Sequence, residues 1–250
     1  MIDPRIAERR KTVLESGARK GVRRALILLV GVASLAGLVW LLQSPLLSVN
    51  EITIAGSDRE DVLQAVAAAG LEAGTPLVLV RTDEIVDALE ALPWVRVASA
   101  ERMFPDQVEV RVEERIPAGW IWNAGSYLLV DDQGVVLEEA AAADPEGPVL
   151  QFPIERLQPG EAYSDQMVLG AIEFVAAGGG EVPGLELWQE GDEMWASVDG
   201  HRIRLGRPVD MAAKAAALNA VLSDDVPAAS LINLIAPSRP AVTEVNQPSS

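Results

Sequence analysis

His201 is the one histidine among 250 residues, and there is no cysteine. A single imidazole without thiolate neighbours cannot assemble a zinc site, and the missing thiol removes cysteine nucleophiles and disulfides together. No Walker loop, G-x-G-x-x-G run or G-x-S-x-G nucleophile elbow occurs, and no serine has an obvious triad partner. Gly178-Gly179-Gly180 lacks the preceding strand and following helix that a phosphate loop requires, so it reads as a hinge or turn. Acidic pairs stand at Asp131-Asp132, Glu138-Glu139 and Asp224-Asp225, in turns and at element ends, where hydration explains them better than paired catalytic carboxylates do. The Asp131–Gly134 turn has too few ligands for an EF-hand, and Gly134 suits a turn that needs positive φ. The expectation is a protein without catalytic, metal or cofactor-binding residues, which works by binding other proteins.

Such a protein needs surfaces, and the charge pattern divides them. Residues 1–24 carry eight basic side chains against three acidic ones, while the remainder carries twelve basic and 34 acidic residues. The acidic bulk argues against nucleic acid, whose phosphates select basic faces. Between the two regions lies ALILLVGVASLAGLVWLL (Ala25–Leu42), uncharged and polar only at Ser34. As a helix it would reach about 27 Å, close to the hydrocarbon thickness of a bilayer. Trp40 falls near its far end, where an indole favours the interface. The long basic region before it, and the want of a small-x-small site in the following QSPLLSV, argue against a cleaved signal peptide. Arg19, Lys20, Arg23 and Arg24 directly precede the span. The positive-inside rule then keeps residues 1–24 cytoplasmic and puts the mass of the chain outside, with the lipid bilayer as one partner.

Beyond the span the pattern is regular. VNEITIAG (Val49–Gly56) suits a strand, and Ser57 with Glu60 has capping-box spacing for a helix presenting Val62, Leu63 and Val66 and ending at Gly70. A second helix opens at Thr82, buries Ile85, Leu89 and Leu92, and stops at Pro93. Strands follow over Trp94–Met103 and Val108–Glu114, the latter alternating valine with charge. The order is β-α-α-β-β.

Further on, a hairpin is expected over Tyr127–Val130 and Val135–Leu137, then a loop over Ala140–Pro148. Ser164 can cap a helix carrying Met167, Ala171 and Phe174. Three strands span Leu185–Glu190, Glu193–Val198 and His201–Gly206, with turns at Gly191-Asp192 and Asp199-Gly200. Pro208 can open a last helix lined by Met211, Ala215, Leu218 and Leu222. Leu231–Ile235 and Pro240–Val245 read as closing strands.

LPWVRVASAERMFPDQVEVRVEERIPAGWIW (Leu92–Trp122), followed by LLVDDQGVVL (Leu128–Leu137), resembles the signature stretch of the bacterial cell-division family FtsQ, called DivIB in Gram-positive bacteria. The upstream VNEITIAGSDREDVLQAVAAAGLEAGTPLVLV resembles that family's POTRA domain. The resemblance is strongest over residues 47–138 and weakens after about residue 145. It implies an α+β fold: a cytoplasmic tail (1–24), a transmembrane helix (25–42), a POTRA domain (47–116), a β-rich FtsQ-type domain with two helices (117–245) and a flexible tail (246–250).

The same resemblance implies a single-pass scaffold of the divisome at the division septum. It would link early and late division proteins and bind FtsB (DivIC) together with FtsL, with the septal peptidoglycan synthase complex behind them. Docking would be by strand addition, which relies on backbone hydrogen bonds more than on side-chain chemistry. By position the docking edge is Arg239, Ala241, Val242, Thr243, Glu244 and Val245, supported by Leu231, Asn233, Leu234 and Ile235. Two departures leave its register open. The family's Asp-Leu-Arg reads Asn233-Leu234-Ile235, and Pro240, which has no amide hydrogen, starts the last strand. Two other classes stay in view, a POTRA-bearing envelope assembly factor and a membrane-anchored cell-envelope enzyme, though neither POTRA repeats nor a run of barrel strands occurs.

Overall fold

The protein is described by a computed structural model covering residues 23–24, 26–40, 44, 47–123, 125–144, 147–224 and 226–244. Residues 26–40 form a helix, α1, whose side chains are all exposed. Among the described residues no helix is long and apolar enough to cross a membrane. The span expected over 25–42 includes residues 25, 41 and 42, which lie outside the described residues. So do Arg19 and Lys20.

The first folded unit is a three-stranded sheet, β1 (Glu51–Ala55), β2 (Val95–Met103) and β3 (Gln107–Glu114), in the order β1-β3-β2. Strand β1 runs parallel to β3, and β2 runs antiparallel to it. Helices α2 (Glu60–Ala68) and α3 (Thr82–Glu90) supply Val62, Val66, Ile85 and Leu89 to a core that Val108, Val110 and Val112 complete. The alternating valines of β3 all point inward, so a central strand fixes its register by its own period of two. At Gly56 the chain turns with φ +94°, and a Cβ would lie 1.9 Å from the Val112 carbonyl oxygen, a position that glycine alone can hold.

The capping box does not form. Helix α2 begins only at Glu60, after Arg59, which has no side-chain cap. The Ser57 hydroxyl instead accepts the Arg59 amide at 3.2 Å, and Glu60 accepts from the Gln64 amide four residues on. Arg59 is held extended by stacking 4.4 Å over the Trp94 ring and pairing with Asp61 at 3.3 Å, which delays the helix past the expected register.

The second unit is a nine-stranded sheet in the order β12-β11-β10-β9-β8-β7-β4-β5-β6. Its strands are β4 (Pro117–Asn123), β5 (Ser126–Asp131), β6 (Val136–Ala140), β7 (Val149–Gln151), β8 (Glu186–Glu190), β9 (Glu193–Val198), β10 (His201–Gly206), β11 (Ser230–Asn233) and β12 (Ala241–Glu244). Helices α4 (Gln166–Ala176) and α5 (Met211–Leu222) bury Phe174, Ile172 and Leu218 against Ile121, Leu187 and Ile203 from one face of the sheet. Alternate strand residues turn to the opposite face, where Leu129 and Leu137 are buried and others, Trp188 and Trp195 among them, are half-buried or exposed.

Strands β4 and β7 are not foreseen by the sequence reading. Strand β4 reads PAGWIWN, without alternation, and β7 has three residues in a proline- and glycine-rich stretch. Strand β4 forms by antiparallel pairing with β5, and β7 by parallel pairing on both sides, between β4 and β8. Asp165, not Ser164, caps α4, its carboxylate accepting the amides of Met167 and Val168. The carboxylate also suits the positive end of the helix dipole. Pro208 does not open α5, which starts at Met211 after Asp210 in the left-handed region. Pro208 packs instead on Gly170 of α4, where a Cβ would come within 2.5 Å of the proline Cβ. A mid-helix glycine is costly by about 1 kcal/mol, but here it permits that close approach.

Two ion pairs join the units. Asp131, fully buried at the end of β5, accepts Arg115 Nη1 at 2.8 Å on one oxygen and the amides of Gln133 and Val135 on the other. Arg96 pairs with Asp132 beside it. Asp131→Ala should cost about 3 kcal/mol, because it strands a mostly buried guanidinium and two turn amides. Asp131→Asn should fall between, and urea unfolding of residues 47–250 reads both.

Lys214 is buried on α5, its Nζ donating to the Arg207 carbonyl at 2.7 Å. Desolvation lowers its pKa, and nearby Asp210 opposes this. A depressed lysine pKa penalises the fold in full below the folded value, and the penalty disappears above the ordinary value, so this site adds stability as pH rises. Buried Tyr163 has a raised pKa and acts in the opposite sense above its ordinary value. Lys214→Met should therefore be favourable at neutral pH, where the buried ammonium is penalised, and should lose that advantage as pH rises into the ordinary lysine range, measured as the stability difference from the native chain.

Candidate functional site

A nine-stranded open sheet has two margins, and an unpaired row of amides and carbonyls on either can accept another strand. The margins are built differently. At β6 the chain folds back: Val136 donates to Glu161 and its carbonyl accepts from Gly160, both at 2.8 Å, and Val135 bridges Ala162. Further along β6, Arg156 pairs with Glu139 and, with Ser126, holds its carboxyl below the usual range. That margin is blunted.

At the other margin β12 pairs antiparallel with β11, through Ser230–Glu244, Leu231–Thr243, Ile232–Val242 and Asn233–Ala241. All four residues of β12 are exposed. Among the described residues no strand lies beyond it. Supporting strand β11 is anchored, since Ile232 is fully buried in the core and Ser230 donates its amide to His201 Nδ1 at 3.3 Å. The sole histidine thus ties β10 to β11.

The sequence-based edge shifts inward at both ends. Strand β11 ends at Asn233, and the strand expectation fails at Leu234 and Ile235. Leu234 is fully buried and donates to the Arg204 carbonyl at 2.9 Å. Ile235 is exposed, its amide bonded to Asn233 Oδ1 at 3.1 Å, with its side chain on Gly206. Arg239 belongs to the connecting turn, its amide bonding the Ala236 carbonyl at 3.0 Å, and Pro240 precedes the strand without entering it. Ala241, Val242, Thr243 and Glu244 remain on the margin, and Val245 lies outside the described residues.

The faces beside the margin differ in chemistry. Val242 pairs with Ile232 on the core side yet is 43% exposed, so the apolar face continues past the helices that cover it. On the other face Leu231 and Thr243 continue a row with Arg202. There Arg202 lies 4.3 Å over the Trp195 ring, and Arg204 grips Glu193 through two bonds of 2.7 Å. That grip holds the Glu193 carboxyl below its usual range. This ladder of arginine, tryptophan and glutamate is not marked by any local motif, because it forms by cross-strand pairing of β8, β9 and β10.

The other candidate groups resolve into structure. Asp131 and Asp132 serve the joint between units. The Gly178–Gly180 turn closes α4, with Asn219 donating to the Gly178 carbonyl at 3.1 Å and Gly179 packed on Phe174. Among the described residues no group of three or more His, Cys, Asp or Glu could hold a metal ion.

Residues 47–115 match the POTRA domain, FtsQ-type family. The chain is 31% identical over 218 residues to the cell division protein FtsQ of Anaeromyxobacter sp. (strain K), covering 80% of this chain and 70% of that protein. It is 28% identical over 265 residues to the cell division protein FtsQ of Streptomyces collinus, covering 96% and 98%. The major extracytoplasmic domain of the trans isomer of DivIB from Geobacillus stearothermophilus aligns with a TM-score of 0.34 at 16% identity, over 46% of this chain and 99% of that one.

The margin's two strands should respond oppositely to truncation. Ile232→Ala removes fully buried volume and should cost about 3 kcal/mol, whereas Val242→Ala, at an exposed position, should change stability by less than about 0.5 kcal/mol. Equilibrium unfolding of the two variants tests the contrast.

Proposed function

The chain belongs to the FtsQ family of bacterial cell-division proteins, known also as DivIB, and from that premise we propose that it is a membrane scaffold of the divisome whose working surface is the β12 margin. In this reading residues 25–42 span the cell membrane once. Arg19, Lys20, Arg23 and Arg24 hold the tail in the cytoplasm, and the POTRA domain (47–116) and β-rich domain (117–245) face the septal space. The protein works by assembly and not by catalysis. It joins early and late division proteins by capturing FtsB (DivIC) together with FtsL, and so stands beside the septal peptidoglycan synthase complex.

The observation that carries the proposal is the asymmetry of the large sheet: β6 is folded over, while β12 is exposed at every residue and rests on a buried neighbour. Strand addition needs that combination, a free row of backbone groups on a support that does not yield. A strand laid beside β12 would meet the uncovered flank of Val242 on one face and the Leu231–Thr243 row on the other. Partner specificity would then come from apolar residues at alternate positions, with Glu244 and the nearby arginines selecting charge. Residues Asn233 and Ile235, where the family pattern has charged side chains, sit at the end of β11 and beyond it, so their substitution leaves the row of backbone groups on β12 intact.

Strand amides alternate in direction, so one of Val242 and Thr243 aims its N–H outward. Proline at that position should weaken capture of the extracytoplasmic segment of an FtsB-type partner by about 10-fold, the equivalent of one lost hydrogen bond and the partner carbonyl it leaves unpaired. The far-ultraviolet spectrum and melting temperature should stay near native, since the supporting strand β11 is untouched. Binding by residues 47–250 that survives both Val242→Pro and Thr243→Pro, measured by titration calorimetry, would remove the docking assignment.

A further inference from the structure

The small sheet's exposed apolar residues are unevenly placed. Within residues 47–115 the exposed large hydrophobics are Leu63, Val78, Leu79, Val97, Met103 and Phe104. Four of these lie at one pole of the module, Val78 and Leu79 in one turn and Met103 and Phe104 at the end of β2 and the turn that follows it. The backbone ties both turns to the segment that follows α1. Val49 donates to Thr75 at 2.8 Å and accepts from Gly74 at 2.7 Å, and Ser48 bridges Pro76. Asn50 donates its amide to the Asp106 carbonyl at 2.8 Å and its side chain to the Asp106 carboxylate at 3.1 Å. The 310 turn Leu77–Leu79 sends Leu77 into the core and leaves Leu79 61% exposed; Phe104, at the tip of the β2–β3 hairpin, is 68% exposed.

The same pole is tethered closely to α1. Ser44 and Ser48 lie within one turn of chain, with Leu47 donating to the Ser44 carbonyl at 2.9 Å and the Ser48 hydroxyl at 3.3 Å. From residue 40, the last described residue of α1, to Ser44 is four Cα steps, a reach of at most about 14 Å whatever path they take. The turns bearing Leu79 and Phe104 are therefore held near the place where the apolar helix ends. Leucine, methionine and phenylalanine flanked by Arg81 and Arg102 are the chemistry of a membrane interface, with hydrocarbon going inward and guanidinium staying at the headgroups. Acidic neighbours are present: Glu84 pairs with Arg81, and the Asp106 carboxylate, which accepts from the Asn50 side chain, keeps its charge and belongs at the headgroup level.

We propose that this pole of the module rests in the outer surface of the lipid bilayer, with Val78, Leu79, Met103 and Phe104 dipping below the headgroups and fixing the angle at which the module stands. The inference rests on the reading of residues 25–42 as a membrane span. The occupant is lipid, because the tether presents the pole to the bilayer at all times, whereas another protein would have to be recruited. The contact is apolar and local. At roughly 3.3 Å per residue, the five residues of β1 set the far pole, with Leu63 and Val97, about 16 Å away.

The absence of cysteine makes the test direct. Full-length chains with Leu79→Cys, Phe104→Cys or Leu63→Cys are labelled with an environment-sensitive fluorophore and reconstituted in phosphatidylcholine–phosphatidylglycerol vesicles, some containing nitroxide lipids. Labels at 79 and 104 should be quenched by the nitroxide lipids at least about twofold more than the label at 63, and shielded from aqueous iodide. Equal, water-like responses from the three labels, in chains that resist alkaline carbonate extraction, would overturn the inference and leave the spanning reading intact. Release of the chain by carbonate would overturn both. Shielding at 79 and 104 that disappears on dilution with excess lipid would mean contact between protein molecules, and would overturn lipid as the occupant.

Discussion

Every amide and carbonyl in a strand must find a hydrogen-bond partner, and a sheet that does not close on itself always has two rows left over. That constraint organises the larger half of this chain. With nine strands, four residues at one end and five at the other carry the unsatisfied rows. One row is partly satisfied from within the chain, by the fold-back of Gly160–Tyr163 onto β6. The other is left to water or to a partner. A soluble protein with no need of a partner would gain by covering both, since an exposed edge invites unwanted association. Covering one and firmly supporting the other is what strand capture requires, and it needs none of the chemistry that the composition lacks.

Support for the open row is built in layers. Strand β12 contributes nothing to the core, but β11 places Ile232 in it, and β10 behind β11 adds Ile203 and Leu205. Helices α4 and α5 then lock the middle of the sheet through Phe174, Met211 and Leu218. A partner strand would therefore meet a surface whose own folding energy begins one strand in, at β11. The joint at Asp131 extends the same stiffness to the small sheet: a fully buried carboxylate spends one oxygen on its own turn and the other on Arg115, just beyond β3. Holding one unit in place thus orients the other.

Legibility in the sequence followed locality. The alternation of β3 and the Ile85–Leu89 stripe of α3 were readable because one buried face imposes its period on neighbouring residues, whereas α5, apolar nearly all round, buries Lys214 and Val221 beside Met211, Ala215 and Leu218 and leaves Leu222 half-buried. Strand β7 was not, since three residues between Pro148 and Phe152 pair only because β4 and β8 flank them. Helix starts were misplaced where a distant group intervened. Trp94 drew Arg59 away from the helix, and Pro208, expected in a helix, went to fill the hollow above Gly170. The docking edge was placed from position and resemblance. Its core, Ala241–Glu244, coincides with a margin, while Leu234, Ile235 and Arg239 belong to the turn between strands, whose carbonyl and Asx bonds depend on a fold that no local pattern announces. The arginine–tryptophan ladder went unseen for the same reason, as its members lie on three strands.

Charge explains why the membrane-proximal contact should be apolar. Outside residues 1–24 the chain carries 34 acidic and twelve basic residues, so its folded bulk is repelled by anionic headgroups over a Debye length of about 8 Å. No electrostatic adhesion can hold such a body upright, and attachment at a single point leaves its angle unset. Burial of apolar area is short-ranged and indifferent to the sign of the surface, at about 25 cal/mol per Å². Two turns bearing Leu79 and Phe104, pinned by Thr75 and Asp106 to the segment that leaves the helix, could supply that attachment without weakening the repulsion elsewhere. The acidic bulk would then stand off the membrane with its open β12 margin accessible, and the orientation of that margin would be set by two turns at the opposite end of the chain.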